Sequence, residues 1–373
     1  MGETCYSQPK MTVKVGGKQV LSTDVTDFYW RDYAATISPA VSGQQQVDIT
    51  FSNDNNSWGE CDGNLWIDKV TFTSTTPTAA HGVFEQGTPA GTYSLVDNFA
   101  SLAGAYPPVQ MWYQSWTDPW IANFQARWMD MVDAHGQQAM ITWEPFVSGY
   151  QPLRAIANGE YDTYIRKFAE DSKAWGRPYY LRFAHEMNGN WYPWSPGVNG
   201  NTSADYVAAW RHVHDIFVAE GATNVKWVWS PNEEASCPGC TPIEELYPGD
   251  SYVDLTAIDG YNWGTTDASG WRPFTSIFAS TYDKITTVVA PSKPILIGET
   301  SSVEQGGDKA AWITSSYGTE IPNRFPRLVA VIWFHENEQP DRPQDWRVNS
   351  SPAALDAYQQ AIANGYYQLR ALP

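Results

Sequence analysis

The segment YYLRFAHEMNGNWYPW, residues 179–194, passes from a short apolar strand directly into polar, acidic and aromatic residues. Seven other segments after residue 80 have the same form. They are HGVFEQ (81–86), VQMWYQS (109–115), AMITWEP (139–145), VKWVWSPN (225–232), LTAIDGYN (255–262), PILIGET (294–300) and LVAVIWFHE (328–336). Helical stretches such as ADYVAAWRHVHDIFVAEG, which ends at the candidate C-cap Gly221, separate the strands. This alternation predicts an α/β fold, a (β/α)₈ TIM barrel with its chemistry at the carboxyl ends of the strands.

The first 73 residues show a different pattern. Short segments such as MTVKV, QQVDITF and NLWIDKVTF alternate apolar and polar residues and are separated by glycine-rich turns. Period-two alternation with turn residues predicts a small all-β sandwich module. The segment STTPTAA, residues 74–80, is typical of a linker. We therefore predict a β-sandwich module over residues 1–73, a linker over 74–80 and a catalytic barrel over 81–373.

Composition narrows the class of partner. The 373 residues carry 23 Lys and Arg against 41 Asp and Glu, a net charge of −18, which excludes nucleic acid as a partner because phosphate binding needs clustered positive charge. No apolar run approaches the roughly 20 residues needed to cross a membrane. The 19 Trp and 21 Tyr provide flat faces that suit pyranose rings, although a large aromatic core would also use them. These features favour a monomer that acts on a neutral polysaccharide.

The four cysteines indicate an oxidising compartment. Cys237 and Cys240 flank a Pro-Gly turn that could hold a short-loop disulfide, and Cys5 and Cys61 would then staple the N-terminal module. Four cysteines allow three pairings, and a redox motif or a zinc site are the alternatives, although neither has its usual context here. The start, MGETCYSQPKM, lacks the apolar region of a signal peptide. We expect a secreted protein whose export signal was removed upstream.

Two glutamates stand at strand ends on opposite sides of the predicted barrel. Glu186 follows the fourth strand, and Glu299 lies at the end of the seventh. Glycosidic bond hydrolysis needs such a pair of carboxyl groups, one to protonate the departing oxygen and one to attack the anomeric carbon or activate water. No cluster with metal-ligand spacing appears in the barrel, and no cofactor is needed for this catalysis.

Four motifs resemble glycoside hydrolase family 26 over residues 81–373. They are HEMNGNWYPW after the fourth strand, GET in the seventh, DGYNW in the sixth and VIWFHE in the eighth. The resemblance implies that Glu186 is the general acid/base and Glu299 the nucleophile of a retaining double displacement. It also implies that Tyr261 hydrogen-bonds the nucleophile and that Trp333 forms the floor of the −1 subsite.

Other residues near these motifs are candidates for holding the substrate. His185 could tune the acid/base or contact the sugar, and Arg182 could orient the nucleophile. Glu144 is either structural or a partner of a substrate hydroxyl. The remaining candidates are Asn188, Trp143 and the platform residues Trp191 and Trp194, for which core packing is the alternative.

The N-terminal module resembles calcium-dependent carbohydrate-binding modules of families 36 and 60. The residues that carry this resemblance are VKVGGKQV, WRDY, DITFSND and CDGNLWIDKVTF. Asp54 and Asp62 match acidic loop positions of those families, Glu60 is a third candidate ligand and Trp58 a stacking face. Carboxylate oxygens suit the hard calcium ion. A solvated acidic turn without an ion is the alternative.

The family resemblance implies an endo-acting hydrolase of β-linked plant polysaccharide. Endo-β-1,4-mannanase is the first expectation, endo-β-1,3-1,4-glucanase (lichenase) the second and xylanase the third. Two departures count against mannan, since many mannanases carry Gly-His-Gln after the first strand and a His near the third strand end, where this chain has Glu85-Gln86 and Trp143-Glu144-Pro145. A non-catalytic sugar-binding barrel is the alternative from another class.

Overall fold

A computed structural model describes residues 10–25, 33, 35, 46–52, 67, 79–85, 87, 94–367 and 372–373. The chain separates into two compact units, Met1–Thr76 and Pro77–Pro373. In the first unit, β1 (Lys10–Val15), β2 (Lys18–Asp24) and β3 (Val47–Ser52) form an antiparallel sheet in the order β2-β1-β3. Gly16 and Gly17 join β1 to β2 with φ of 56° and 80°, as a tight hairpin turn requires. The sheet confirms the all-β class of this module.

The second unit is a closed barrel of eight parallel strands in sequence order, which confirms the predicted TIM barrel. The strands are β4 (Ala80–Glu85), β5 (Val109–Ser115), β6 (Gln138–Glu144), β7 (Tyr179–Phe183), β8 (Val225–Trp229), β9 (Leu255–Asp259), β10 (Ile295–Thr300) and β11 (Leu328–His335). The helices are α1 (Ser94–Ala103), α2 (Ala126–Ala134), α3 (Pro152–Ala157), α4 (Asp162–Trp175), α5 (Ser203–Glu220), α6 (Phe274–Lys284), α7 (Lys309–Ser315), α8 (Ile321–Arg324) and α9 (Pro352–Ile362). Between β8 and β9 stand three short 3₁₀ turns in place of an α-helix.

Alternation along the strands divides the core into two layers. Phe84, Met111 and Met140 point into the barrel, and the register pairs Phe84 with Met111 and Met111 with Met140. Their sequence neighbours point outward into the layer between strands and helices. Side chains of parallel strands that pair in register share a face. In β6 and β11 this alternation decides which residues at the strand end face the mouth of the barrel. In β10 the register with β9 shifts between Ile297 and Glu299, so Glu299 reaches the site although Ile297 points outward.

Helix α5 supports the site from behind. Thr202 and Asp205 form a capping box at its start, and Gly221 ends it with a φ of 75°, as predicted. The hydroxyl of Tyr206, in the first turn of α5, donates to the carbonyl oxygen of Ala184 at 3.3 Å. The helix thereby holds the backbone that leads from β7 to Glu186.

A disulfide joins Cys237 and Cys240 in the loop after β8, with their Cα atoms 5.5 Å apart. This bond agrees with the sequence prediction, whereas Cys5 and Cys61 lie outside the described residues. Asp54, Glu60 and Asp62, the candidate calcium ligands, also lie outside them. Among the helices that the structure describes, none is both long and apolar enough to cross a membrane.

Candidate active site

The two glutamates singled out from the sequence meet at the mouth of the barrel. Glu186 follows β7, Glu299 lies in β10, and each has a carboxylate oxygen within 4.8 Å of the other and of an oxygen of Asp259. Glu186 is 7% and Glu299 3% exposed. Three acidic groups so close together in a buried place would repel one another unless a cation stood among them.

Arg182 supplies that cation. Its guanidinium is fully buried and forms ion pairs with both Asp259, at 2.7 Å, and Glu299. Its Nε also donates to the Thr142 hydroxyl at 2.9 Å. A buried charge that loses its partner is strongly destabilising, so each of these acids helps to hold Arg182 in place.

Two tyrosines complete the surroundings of Glu299. The Tyr113 hydroxyl donates to Oε1 and the Tyr261 hydroxyl to Oε2, each at 2.5 Å. Burial, reinforced by the charge of Glu299, raises the pKa of both phenols well above 10, so both stay protonated and donate. Two hydroxyl donors and an ion pair with Arg182 therefore surround the Glu299 carboxylate and fix its position.

Glu186 has a different environment. Its carboxylate accepts from Asn232 Nδ2 at 2.6 Å and from the indole N–H of Trp191 at 2.7 Å. Burial and the charge of Glu299 raise its pKa to about 7, although both hydrogen bonds act in the opposite direction. The two carboxyl groups therefore differ in their surroundings: Glu299 lies against a cation and two hydroxyl donors, whereas the setting of Glu186 raises its pKa, a difference that acid/base chemistry uses.

The backbone around Glu186 is strained. Ala184 and Glu186 have φ of 45° and 51°, a region that residues with a Cβ seldom adopt. The Glu186 N–H donates to the Ser230 carbonyl at 2.7 Å and fixes this conformation. Such strain costs about 1–3 kcal/mol per residue and persists only where surrounding contacts impose it. Here it turns the Glu186 side chain toward the barrel axis.

His185 is buried among aromatic rings beside the carboxylates. Its ring centroid lies 4.8 Å from that of Tyr192 and 5.8 Å from that of Tyr113, and its Nε2 is 3.9 Å from Glu299 Oε1. Burial and the charge of Arg182 lower its pKa well below 6.5, so the ring is neutral. Within the described part of the chain, no hydrogen bond reaches either ring nitrogen.

Glu144 adds a further carboxyl group to this site. It ends β6, pairs with Ser115 and lies on the same inward face as Thr142. Burial raises its pKa to about 8, and the charges of Glu299 and Glu186 act in the same direction. A carboxyl that is protonated at neutral pH can donate a hydrogen bond as well as accept one.

Two tryptophans predicted to bind substrate face away from the site. Trp143 and Trp333 are fully buried in the layer between strands and helices, where Trp143 packs on Phe168 at 4.5 Å and Trp333 on Tyr358 at 5.6 Å. Each strand alternates its faces, so the neighbouring Glu144 and Phe334 point inward instead. In the structure Trp333 and Trp143 are therefore core residues, which corrects the expectation that they line the substrate site.

Of the remaining predicted site residues, one lies beside Glu186 and two hold neighbouring residues in place. Trp191 is 44% exposed beside Glu186, whereas Trp194 is 1% exposed, stacks on Tyr192 at 4.3 Å and donates to the His185 carbonyl. Asn188 does not touch the carboxylates. Its side chain exchanges two hydrogen bonds with the backbone of Asn232, at 2.8 and 2.9 Å, and so fixes the residue that holds Glu186.

Sequence reasoning missed several residues that surround the glutamates. Tyr113 contacts Glu299, Asn232 contacts Glu186, and the ring of Phe334 lies 5.7 Å from that of Tyr261. Trp346, from the loop after β11, packs on Tyr261 at 5.1 Å. The signal for the first three was their place at the ends of predicted strands, read with the inward phase of each strand.

Known proteins resemble both units. Residues 157–325 match the family model for glycosyl hydrolase family 26, and residues 1–86 match that for CBM60, a Ca-dependent, xylan-binding carbohydrate-binding module. Endoglucanase H of Acetivibrio thermocellus is 42% identical over 278 residues, which are 73% of this chain and 29% of that protein. Mannan endo-1,4-beta-mannosidase A and B of Caldalkalibacillus mannanilyticus is 27% identical over 167 residues, 43% of this chain and 28% of that protein.

Solved structures share the fold. A GH26 β-mannanase from Bacteroides ovatus superposes with a TM-score of 0.55 at 17% identity, covering 78% of this chain and 90% of that one. An endo-β-1,4-mannanase of Cellulomonas fimi gives 0.59 at 19% identity, covering 78% and 71%. The chain spans less than a third of the length of either curated relative. Residues 157–325 are thus similar to glycosyl hydrolase family 26, and residues 1–86 to a CBM60 module.

Proposed function

We propose that the barrel, residues 81–373, is a retaining endo-β-glycanase in which Glu299 is the nucleophile and Glu186 the general acid/base. The observation that carries the proposal is the approach of their carboxylate oxygens to within 4.8 Å. Retaining glycosidases hold the two groups about 5–5.5 Å apart, whereas inverting ones need about 6.5–9.5 Å to admit a water molecule between carboxylate and sugar. The match of residues 157–325 to glycosyl hydrolase family 26 supports the same assignment.

The first step breaks the glycosidic bond. The ionised Glu299 carboxylate attacks the anomeric carbon while Glu186 gives its proton to the departing oxygen, so that the leaving sugar is released as an alcohol. Tyr113, Tyr261 and Arg182 orient the Glu299 carboxylate for attack on the sugar. Because they fix it before substrate binds, little reorganisation is needed in the transition state.

The second step releases the sugar. Glu186, now ionised, takes a proton from water, the water oxygen bonds to the anomeric carbon and the ester bond to Glu299 breaks. Asn232 and the Trp191 indole hold the Glu186 carboxylate by hydrogen bonds in this ionised state. The second inversion restores the original configuration at the anomeric carbon.

A β-glucan is the substrate that we place first. Endoglucanase H matches this chain at 42% identity over 73% of its length, compared with 27% over 43% for the mannosidase of Caldalkalibacillus mannanilyticus. The chain also has Glu85-Gln86 and Trp143-Glu144-Pro145 where many mannanases carry histidine motifs. Mannan is the second candidate because several mannanases are similar to this chain, both in sequence and in fold.

The substrate proposal is tested by hydrolysis of mixed-linkage β-1,3-1,4-glucan, galactomannan and xylan at equal mass concentration. We expect the fastest release of reducing ends from the mixed-linkage glucan, with a rapid fall in viscosity because an endo-acting enzyme cuts within the chain. Fastest hydrolysis of galactomannan would overturn the glucan assignment. Binding without hydrolysis of all three would instead identify a non-catalytic sugar-binding barrel.

The proposed mechanism predicts the configuration of the first product. Proton NMR within the first minutes of hydrolysis should show the β-anomer before mutarotation produces the α-anomer, since two inversions give retention. Initial formation of the α-anomer would mean that water attacks directly, and would contradict the role of Glu299 as a nucleophile.

The raised pKa of Glu186 predicts the alkaline side of the pH profile. Its acid form is the active one in the first step, so the active fraction is complete well below pH 7 and is lost as pH rises through about 7. Above that pH, kcat/KM on a polysaccharide should fall about tenfold per pH unit. The falling limb should disappear in Glu186→Ala. If kcat/KM of that variant still fell over the same pH range, the fall would belong to another titrating group, such as Glu144.

The N-terminal unit is proposed to bind polysaccharide through calcium. The match to a Ca-dependent module supports this role, and the three carboxylates Asp54, Glu60 and Asp62 have the oxygen chemistry that calcium prefers. We also propose that the protein is secreted, since the Cys237–Cys240 disulfide suits an oxidising compartment.

A further inference from the structure

Several large aromatic side chains are exposed on loops at the mouth of the barrel. These loops follow three neighbouring strands, β5, β6 and β7. The exposed residues are Trp120, Phe146, Tyr150 and Trp191. Tyr150 is 78% exposed, so little of its ring contributes to a core. Exposed aromatic surface that is not needed for folding commonly marks a binding site.

Two of these rings lie directly on glycine backbone. A Cβ at Gly200 would come within 2.3 Å of the Tyr150 ring, and a Cβ at Gly189 within 2.5 Å of the Trp191 ring. Any other residue at either position would displace the aromatic ring from its place. The fold thus sets the position of both rings before a ligand binds.

The loops that carry these rings are fixed to each other. The Gln151 N–H donates to the Asn199 carbonyl at 2.7 Å, and the Leu153 N–H to Asn201 Oδ1 at 3.3 Å. Gln151 and Asn199 both have a positive φ, 53° and 52°. Strained backbone of this kind is held only by its surroundings and is frequent at ligand-binding sites. The structure therefore keeps Tyr150, the neighbour of Gln151, at a defined distance from the segment that carries Trp191.

Aromatic contacts connect Tyr150's loop with the catalytic groups. Phe146, on the same loop as Tyr150, lies 6.0 Å from Tyr192 and 4.9 Å from Trp194. Tyr192 in turn lies 4.8 Å from His185. The residue next to Tyr192, Trp191, donates its indole N–H to Glu186. The exposed rings therefore continue the cleft outward from the acid/base.

We propose that Phe146 and Tyr150 extend the platform expected at Trp191 into a further subsite, which binds sugar residues of the substrate chain beyond the cleavage point. The inference rests on the proposed glycanase function. A flat, open aromatic face suits the C–H-rich face of a pyranose ring, and its continuity with the Glu186 side of the cleft favours the same polysaccharide chain over a separate partner. Tyr150, 78% exposed on the loop after β6, would contribute to binding without affecting the chemical step.

The test compares Tyr150→Ala with wild type on a hexasaccharide and a trisaccharide of mixed-linkage β-glucan. We expect KM for the hexasaccharide to rise about tenfold with kcat unchanged, and KM for the trisaccharide to stay the same. Tyr150→Phe should behave as wild type, because the ring and not the hydroxyl makes the contact. Val218→Ala is a matched control, since Val218 is 60% exposed near the end of α5, away from the barrel mouth.

Two outcomes separate this inference from the proposed function. If the wild type hydrolyses the glucan but Tyr150→Ala has the same KM for both oligosaccharides, the extended subsite is wrong and the catalytic assignment stands. If the wild type hydrolyses no β-glycan, the proposed function fails. In that case binding of the hexasaccharide, measured by calorimetry, still tests the subsite, because equal affinity of the wild type and Tyr150→Ala would overturn it.

Discussion

Glu299→Gln is expected to lower kcat on polysaccharide by on the order of 10⁴-fold or more, with the fold retained. The amide keeps the size of the side chain but cannot attack the anomeric carbon. The fold should survive because Arg182 retains its ion pair with Asp259 at 2.7 Å when the charge of Glu299 is removed. The loss should therefore fall on kcat, since the contacts with the sugar chain remain.

The measurement pairs steady-state hydrolysis with thermal unfolding and oligosaccharide binding. Glu336→Gln serves as a matched control, because Glu336 lies just beyond β11 and its carboxyl does not belong to the group formed by Glu186, Asp259 and Glu299. We expect this control to keep most of its activity. A Glu299→Gln variant that hydrolysed polysaccharide at the wild-type rate, with purity verified by mass spectrometry, would remove Glu299 from the role of nucleophile.

The barrel could be predicted because each strand is a short apolar run followed by polar residues. Such runs are buried on both faces, and helices with one apolar stripe separate them. The residues at which each strand ends could not be predicted as well. VKWVWSPN, for example, contributes only Val225–Trp229 to β8, since its last residues turn toward the site. The region between β8 and β9 has no α-helix, which the alternation alone did not indicate.

The direction in which side chains point could not be predicted with the same success. A strand that is apolar on both faces gives no polar–apolar alternation from which to determine its phase. Trp333 and Phe334 are therefore equally good candidates in sequence, and only the register with β4, which pairs Phe334 with the inward Phe84, decides between them. The same one-residue ambiguity made Trp143 a candidate for the site alongside its neighbour Glu144, although Trp143 points into the outer layer.

The role of Tyr113 illustrates a second limit. The sequence places it near the end of the second barrel strand, but its contact with Glu299 joins residues 186 positions apart. Only closure of the barrel brings β5 and β10 to opposite sides of one small space. Tyr261, by contrast, could be assigned because it belongs to the DGYNW motif, which resembles a known family. Arg182 was a candidate from its place in the fourth strand, and both residues contact Glu299 in the structure.

Glu186→Ala is expected to reduce kcat on polysaccharide by about 10²–10⁴-fold, the usual contribution of a general acid/base. The variant should retain far more activity on aryl glycosides with an activated leaving group, such as a dinitrophenolate, because departure of that group needs no proton. On such substrates the second step becomes limiting, since the variant lacks the base that activates water. Added azide should then restore turnover, because this small anion attacks the anomeric carbon without giving up a proton.

The product of rescue distinguishes the two carboxylates. If Glu186 is the acid/base, azide enters the space left by its side chain, displaces Glu299 from the sugar and gives a β-glycosyl azide. If Glu186 were the nucleophile, azide would replace it in a single inversion and give the α-glycosyl azide. Trp191→Phe is the matched control, because it removes the hydrogen bond to Glu186 at 2.7 Å but leaves the carboxyl and Asn232 in place. It should show a smaller loss of activity and no azide product, and an α-glycosyl azide from Glu186→Ala would exchange the two assignments.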